Sequence, residues 1–156
     1  MATERWIAGT GQTLSWADAF STATLNSISN GNAILSDLAL DNSSNLNIFA
    51  DISFAFGSIT WAAPNFLGVY LYPLNKDGST YGDGRFGTAA SGPPTANYWV
   101  GNIGFPTGAA ASEGTLTRII LPPGGFKWVL YNQTGATLVG SSGNTCQWRA
   151  YNRQVT

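Results

Sequence analysis

Period-two alternation limits this chain more than any other feature of its sequence. Between residues 46 and 56, Leu46, Ile48, Ala50, Ile52, Phe54 and Phe56 alternate with Asn47, Phe49, Asp51, Ser53 and Ala55. Successive side chains of an extended strand point to opposite faces, so this run predicts a long strand with one apolar face. Residues 67–74 repeat the pattern, with Leu67, Val69 and Leu71 set against Gly68, Tyr70 and Tyr72. Further strands are expected over 33–40, 97–103, 116–121, 126–131, 136–139 and 145–151, which makes eight. In the last third, Phe126, Trp128 and Leu130 share one face opposite Lys127, Val129 and Tyr131. Likewise Cys146, Trp148 and Ala150 oppose Gln147, Arg149 and Tyr151.

Turn residues punctuate the runs. Pro122-Pro123-Gly124-Gly125 predicts a tight turn, because proline presets φ and glycine accepts positive φ. Asn132-Gln133-Thr134-Gly135 and Ser141-Ser142-Gly143-Asn144 are expected to close the last two hairpins. Residues 85–96 and 106–114 are small-residue stretches that read as longer loops. The first thirty residues differ: Ser15 and Asp18 suit the N-cap and third position of a short helix carrying Trp16 and Phe20 on one face, with an extended arm as the alternative. Residues 1–13 read as a tail. The expectation is an all-β fold: a two-sheet, jelly-roll-like sandwich of about eight strands over 31–156, with an N-terminal arm or short helix over 1–30.

Composition narrows the function. A chain of 156 residues with 44% hydrophobic content suits one domain with a sizeable core. Only 10% of its residues are charged, against about 25% in an ordinary soluble domain. Its net charge is −1 and no stretch concentrates Lys or Arg, so nucleic acid is not an expected partner. No apolar run reaches the roughly 20 residues of a membrane span, and no signal-peptide core is present, so no membrane association is expected and synthesis is placed in a cytoplasm.

Catalytic chemistry finds little to use. Histidine is absent, and Cys146 is the one cysteine, so it reads as a small apolar filler. A serine nucleophile would need Lys76 or Lys127 as base, and neither sits in a supporting motif. Asp37, Asp41 and Asp51 could be paired as glycosidase carboxylates, but read as solvated acids among Asn and Ser. Gly9-Thr10-Gly11 lacks the context of a phosphate loop. The stretch 75–84, Asn-Lys-Asp-Gly-Ser-Thr-Tyr-Gly-Asp-Gly, places Asp77 and Asp83 too far apart for a calcium loop of alternating ligands and reads as a turn. Asn42-Ser43-Ser44 and Asn132-Gln133-Thr134 match the glycosylation pattern, relevant only in a secreted eukaryotic protein. An enzyme is not expected, and no catalytic, cofactor-binding or metal-binding residue is assigned. The tryptophans and tyrosines are expected mainly in the core or an interface, with a sugar-stacking platform as the alternative.

Three runs carry a resemblance. They are residues 25–35 (Leu-Asn-Ser-Ile-Ser-Asn-Gly-Asn-Ala-Ile-Leu), residues 46–54 and residues 72–84, joined in the last third by 121–135 and 142–152. Together they resemble a family of tailed-bacteriophage capsid decoration (cement) proteins over roughly residues 25–154. The resemblance implies a small sandwich on the outer surface of the virion head, self-associated as a homodimer or homotrimer. There it would bind the major capsid protein and clamp neighbouring subunits, after synthesis in the bacterial host cytoplasm. It implies no catalytic residue and no cofactor. Arg5, Trp6, Trp16 and Phe20 are the residues expected to touch capsid or a neighbouring subunit, from an arm that orders on binding. The alternative is a carbohydrate-binding sandwich module of a head fibre or adhesin.

Overall fold

A computed structural model describes residues 4–8, 14–26, 28–63, 65–84, 90–138 and 143–155. Its strands in chain order are β1 (Glu4–Ile7), β2 (Ala17–Asp18), β3 (Asn32–Leu35), β4 (Leu40–Asp41), β5 (Phe49–Trp61), β6 (Phe66–Pro73), β7 (Ala90–Ser91), β8 (Trp99–Gly104), β9 (Gly108–Ile120), β10 (Gly125–Gln133) and β11 (Thr145–Val155). A single helical turn, α1 (Thr22–Leu25), lies between β2 and β3. The first sheet runs β1-β11-β5-β9 with β2 also on β11; the second runs β7-β3-β10-β6-β8 with β4 on β10. Setting aside the three two-residue strands leaves four long strands per sheet, ordered 1-11-5-9 and 3-10-6-8. That interleaving of late strands between early ones is the jelly-roll topology, and the fold is an all-β sandwich as the alternation predicts.

The core lies between the sheets. Ala50, Ile52, Phe54 and Phe56 of β5 face Leu67, Val69 and Leu71 of β6 and Phe126, Trp128 and Leu130 of β10, all buried in one cluster. Cys146 fills space there, and burial pushes its thiol well above the ordinary range, as suits a packing group. The opposite face of the second sheet carries its own small cluster of Ala33, Leu35, Tyr70, Tyr72 and Val129.

Several expectations need correction. The hairpins expected at 132–135 and 141–144 are corrected, because β10 and β11 belong to different sheets. Residues 136–138 are not a strand, although Leu138 is buried and donates its N–H to Ile28 O at 3.0 Å; Val139 and residues 140–142 lie outside the described residues. The strand expected over 33–40 is split by Ser36, whose hydroxyl donates to Leu38 O and accepts from the Trp128 N–H, turning the chain into β4. One turn of 3₁₀ helix, Ala96–Tyr98, precedes β8 where strand was expected from 97. In the stretch 85–96, residues 85–89 lie outside the described residues and 90–91 form β7.

The largest correction is β9, expected as a loop over 106–114. It begins at Gly108 and pairs with β5 along its length. Its small residues hid the strand; Ala109 and Ala111 are exposed, whereas Gly114 is small because the second sheet comes close. A Cβ on Gly114 would lie 2.3 Å from the Ile103 side chain of β8. The Trp61 indole also donates to Ala110 O at 3.0 Å.

At the N-terminus, β1 pairs with β11, Arg5 opposite Gln154 and Trp6 opposite Arg153, where a tail was expected. The segment expected to start a helix at Ser15 instead forms β2, and the helix starts later, with Ser21 as N-cap accepting from the Thr24 N–H. At the start of β5, Leu46 has φ 46° and the strand begins only at Phe49. Asn47 is buried there, because Asn42 donates to Asn47 O and Pro122 O and accepts from the Asn47 N–H, each at 2.8 Å. The Asn132 amide is likewise buried and donates to Ile28 O and Ala136 O. Both glycosylation-pattern nitrogens are therefore occupied inside the fold.

The stretch 75–84 is a turn, closed by the Leu74–Tyr81 bridge. The Asp77 carboxylate accepts from the Ser79 and Thr80 N–H groups and, at 2.6 Å, from the Thr80 hydroxyl. These bonds, the Thr80 hydroxyl foremost, hold its pKa down at about 2. A lowered carboxyl favours the turn at neutral pH, and that contribution is lost as pH falls from 3.8 through about 2. An NMR titration of Asp77 should show its midpoint near 2; a midpoint at the ordinary 3.8 would mean the amides are not engaged.

The turn then folds over the second sheet. The Tyr72 ring lies 4.7 Å from that of Tyr98, tilted to it by 56°, its hydroxyl donates to Asp83, and the Thr95 hydroxyl also donates to Asp83. Gly82 permits this approach: its φ is +57° and a Cβ would sit 2.1 Å from the Tyr72 ring. Gly82→Ala should cost roughly 2 kcal/mol in a urea melt, combining left-handed backbone strain with a steric clash. Unchanged stability would mean the turn lifts off the sheet.

Candidate functional site

The outer face of the first sheet carries its charged cluster. Alternation along β5 turns Phe49 and Asp51 outward, and the register of β11 sets Tyr151 beside Phe49 and Arg149 beside Asp51. On the other side of β5 the register slips from Ile119 opposite Ala50 to Leu116 opposite Ile52. The slip is a β-bulge that leaves Thr117 and Arg118 across from Asp51. Arg118 has φ 59°, a left-handed conformation uncommon outside glycine, asparagine and aspartate.

That conformation aims a backbone donor at Asp51. Oδ1 of Asp51 accepts from the Arg118 N–H at 3.1 Å and from the Tyr151 hydroxyl at 2.7 Å. Oδ2 accepts from Arg149 Nε and Nη2, each at 2.9 Å. Asp51 is buried, so these four bonds replace its hydration. Burial, followed by the hydrogen bond to Asp51, pushes the Tyr151 phenol up to about 12, which keeps it a donor across the ordinary pH range.

Aromatic rings frame the cluster. Trp6 stands edge-on to Tyr151 at 5.3 Å and to Phe49 at 6.0 Å, and the Arg118 guanidinium lies 5.5 Å from its ring centre. The Arg149 guanidinium lies 4.6 Å from the Trp16 ring centre. Beside Asp51 runs a groove of about 380 Å³, walled by Trp6, Arg118, Arg149 and Tyr151 with Leu14 and Thr117.

Of the residues expected to make contacts, Trp6 and Trp16 are exposed and are joined through these arginines. Trp6 packs within the chain, edge-on to Phe49 and Tyr151. Phe20 is corrected: at 2% exposure it is a core residue, carried between the sheets by the link from β2 to α1. Arg5 holds its place in β1, and its side chain lies outside the described residues. Asp51, Arg118, Arg149 and Tyr151 went unassigned in the sequence. Asp51 was read as a solvated acid; alternation puts it on the outward face with Phe49 and Ser53, and only the pairing of β5 with β9 and β11 buries it. Asp37 and Asp41 are exposed and engaged locally, Asp37 by the Ser21 N–H and Asp41 by the Ser43 N–H and hydroxyl.

The cluster is built for holding. With four donors on its two oxygens, Asp51 is committed to fixing Arg118, Arg149 and Tyr151 in place. Among the described residues no three His, Cys, Asp or Glu side chains are grouped to hold a metal ion, and no helix is long and apolar enough to cross a membrane. A second exposed group lies where β9 ends. Ile48 O accepts from the Leu121 N–H at 3.0 Å and Ile120 pairs with Phe49, so Ile48 and Ile120 stand at one corner of the sandwich, with Leu46 two residues along. Their exposures are 58% for Leu46, 51% for Ile48 and 73% for Ile120. No family model, curated protein or solved structure matches the chain.

Proposed function

We propose that the protein is a structural component of a tailed-phage head, decorating the outer capsid surface and stabilising contacts between major capsid proteins. The observation that carries the reading is the aliphatic corner of Leu46, Ile48 and Ile120. Large aliphatic side chains grouped in solvent mark a surface that a protein partner covers. On a chain with 10% charged residues, such a corner contributes through apolar burial and hydrogen bonding, with little charge to repel a neutral partner. The resemblance of residues 25–154 to decoration proteins points the same way, as does the jelly-roll sandwich.

The first test is the copy number of the chain relative to the major capsid protein in purified virions, by quantitative mass spectrometry. An equal ratio or a simple fraction of it is the expected result. A handful of copies would discard the decoration reading and favour a fibre or adhesin module. The second is Ile120→Asp, which should lower occupancy on capsids while the melting temperature stays unchanged; full occupancy would remove the corner from the contact.

A further inference from the structure

We propose that the groove beside Asp51 binds an anionic, carboxylate-bearing saccharide. Its described walls carry two guanidiniums against one carboxylate, so one positive charge is uncompensated, on a chain whose net charge is −1. Asp51 takes the Arg149 Nε and Nη2 donors, whereas the Arg118 guanidinium makes no ion pair with any described residue and lies over Trp6. Arginine forms paired, charge-assisted hydrogen bonds with a carboxylate while its plane stays stacked on an aromatic ring. The geometry therefore offers a carboxylate a donor that is already oriented.

Three further features argue for a built site. The bulge holds Arg118 at φ 59°, and strained backbone of this kind persists where the surroundings impose it, often at binding positions. Asp51 locks that bulge through the Arg118 N–H and locks Arg149 and Tyr151 with it. The volume of about 380 Å³ lies in the range of small-molecule sites. The walls combine the exposed Trp6 ring, which suits the apolar face of a pyranose, with the Thr117 hydroxyl, which suits its hydroxyl groups. Acidic peptides and small organic anions share the carboxylate but present no such face.

The test is calorimetric titration of the full chain with trigalacturonate, maltotriose, citrate and tetraglutamate. Saturable binding of trigalacturonate is expected, at least about tenfold tighter than that of the other three, as one charge-assisted contact allows. Arg118→Asn removes the guanidinium, and asparagine accepts positive φ, so the bulge and its N–H to Asp51 should remain. This variant should lose about tenfold in affinity or more with an unchanged melting temperature, and Trp6→Ala should weaken binding as well. No saturable binding of trigalacturonate overturns the proposal, as does equal binding of maltotriose, citrate or tetraglutamate. Unaltered affinity in a folded Arg118→Asn variant also overturns it. None of these outcomes depends on the copy number in virions, so this reading and the decoration reading fail separately.

Discussion

Asp51→Ala should lower the unfolding free energy by roughly 3 kcal/mol in urea denaturation, toward the low end of what breaking a buried ion pair costs. The change strips the acceptor from three groups at once: the Arg118 N–H, the Tyr151 hydroxyl and the Arg149 guanidinium. The Tyr151 hydroxyl would be left in a buried residue, and the Arg118 bulge would keep its strain without the bond that offsets it. Arg149 contributes less, because its side chain is 36% exposed and water screens it. Arg149→Ala should accordingly cost less than Asp51→Ala, since Asp51 would keep two of its donors. A loss below about 1 kcal/mol for Asp51→Ala would show that the network is a surface ion pair and no more.

The same variant has a second readout. The folded Tyr151 phenol lies at about 12, above the ordinary 10.0, with burial as the largest cause and Asp51 next. A raised pKa stabilises the fold fully below pH 10.0, and that contribution disappears as pH rises through about 12. In Asp51→Ala the Tyr151 absorbance titration should move down, while staying above 10.0 because burial remains.

Trp61→Ala should be more damaging, at roughly 3–5 kcal/mol by the same melt. Trp61 stacks on Phe105 at 4.4 Å and stands edge-on to Phe56 at 5.9 Å. It is among the largest fully buried side chains, so truncation opens a cavity that neighbouring rings cannot fill without leaving their rotamers. Trp61→Phe retains most of the ring and should cost less, chiefly the hydrogen bond from the indole to Ala110 O, about 1 kcal/mol. Equal losses for the two variants would mean the hydrogen bond matters more than the packing.

The alternation of Ile52, Phe54 and Phe56, and of Phe126, Trp128 and Leu130, reports core-facing residues directly, because burial on one face of a strand imposes period two on the sequence. The 75–84 turn was legible because its bonds are local, Asp77 accepting from the Ser79 and Thr80 N–H groups. Trp6 and Trp16 stood out as large rings in a polar segment, and both do line the outer face of the first sheet.

The rest was decided by contacts between distant segments. Strand β9 carries no apolar alternation at its start, where Ala109 and Ala111 are exposed, and further along Gly114 yields space to Ile103 of β8 in the other sheet. Phe20 and Trp16 look equivalent in sequence, yet one is core and the other surface, because β2 joins β11 and tips the following residues inward. The site itself draws on β1, β5, β9 and β11, and a one-residue change in the register of any of them would take its side chain to the other face. Alternation thus determined that β5, β6 and β10 are strands and which of their faces meets the core between the sheets. Pairing alone decided that Asp51 meets Arg118, Arg149 and Tyr151, because register is a property of two strands together and neither strand encodes it by itself.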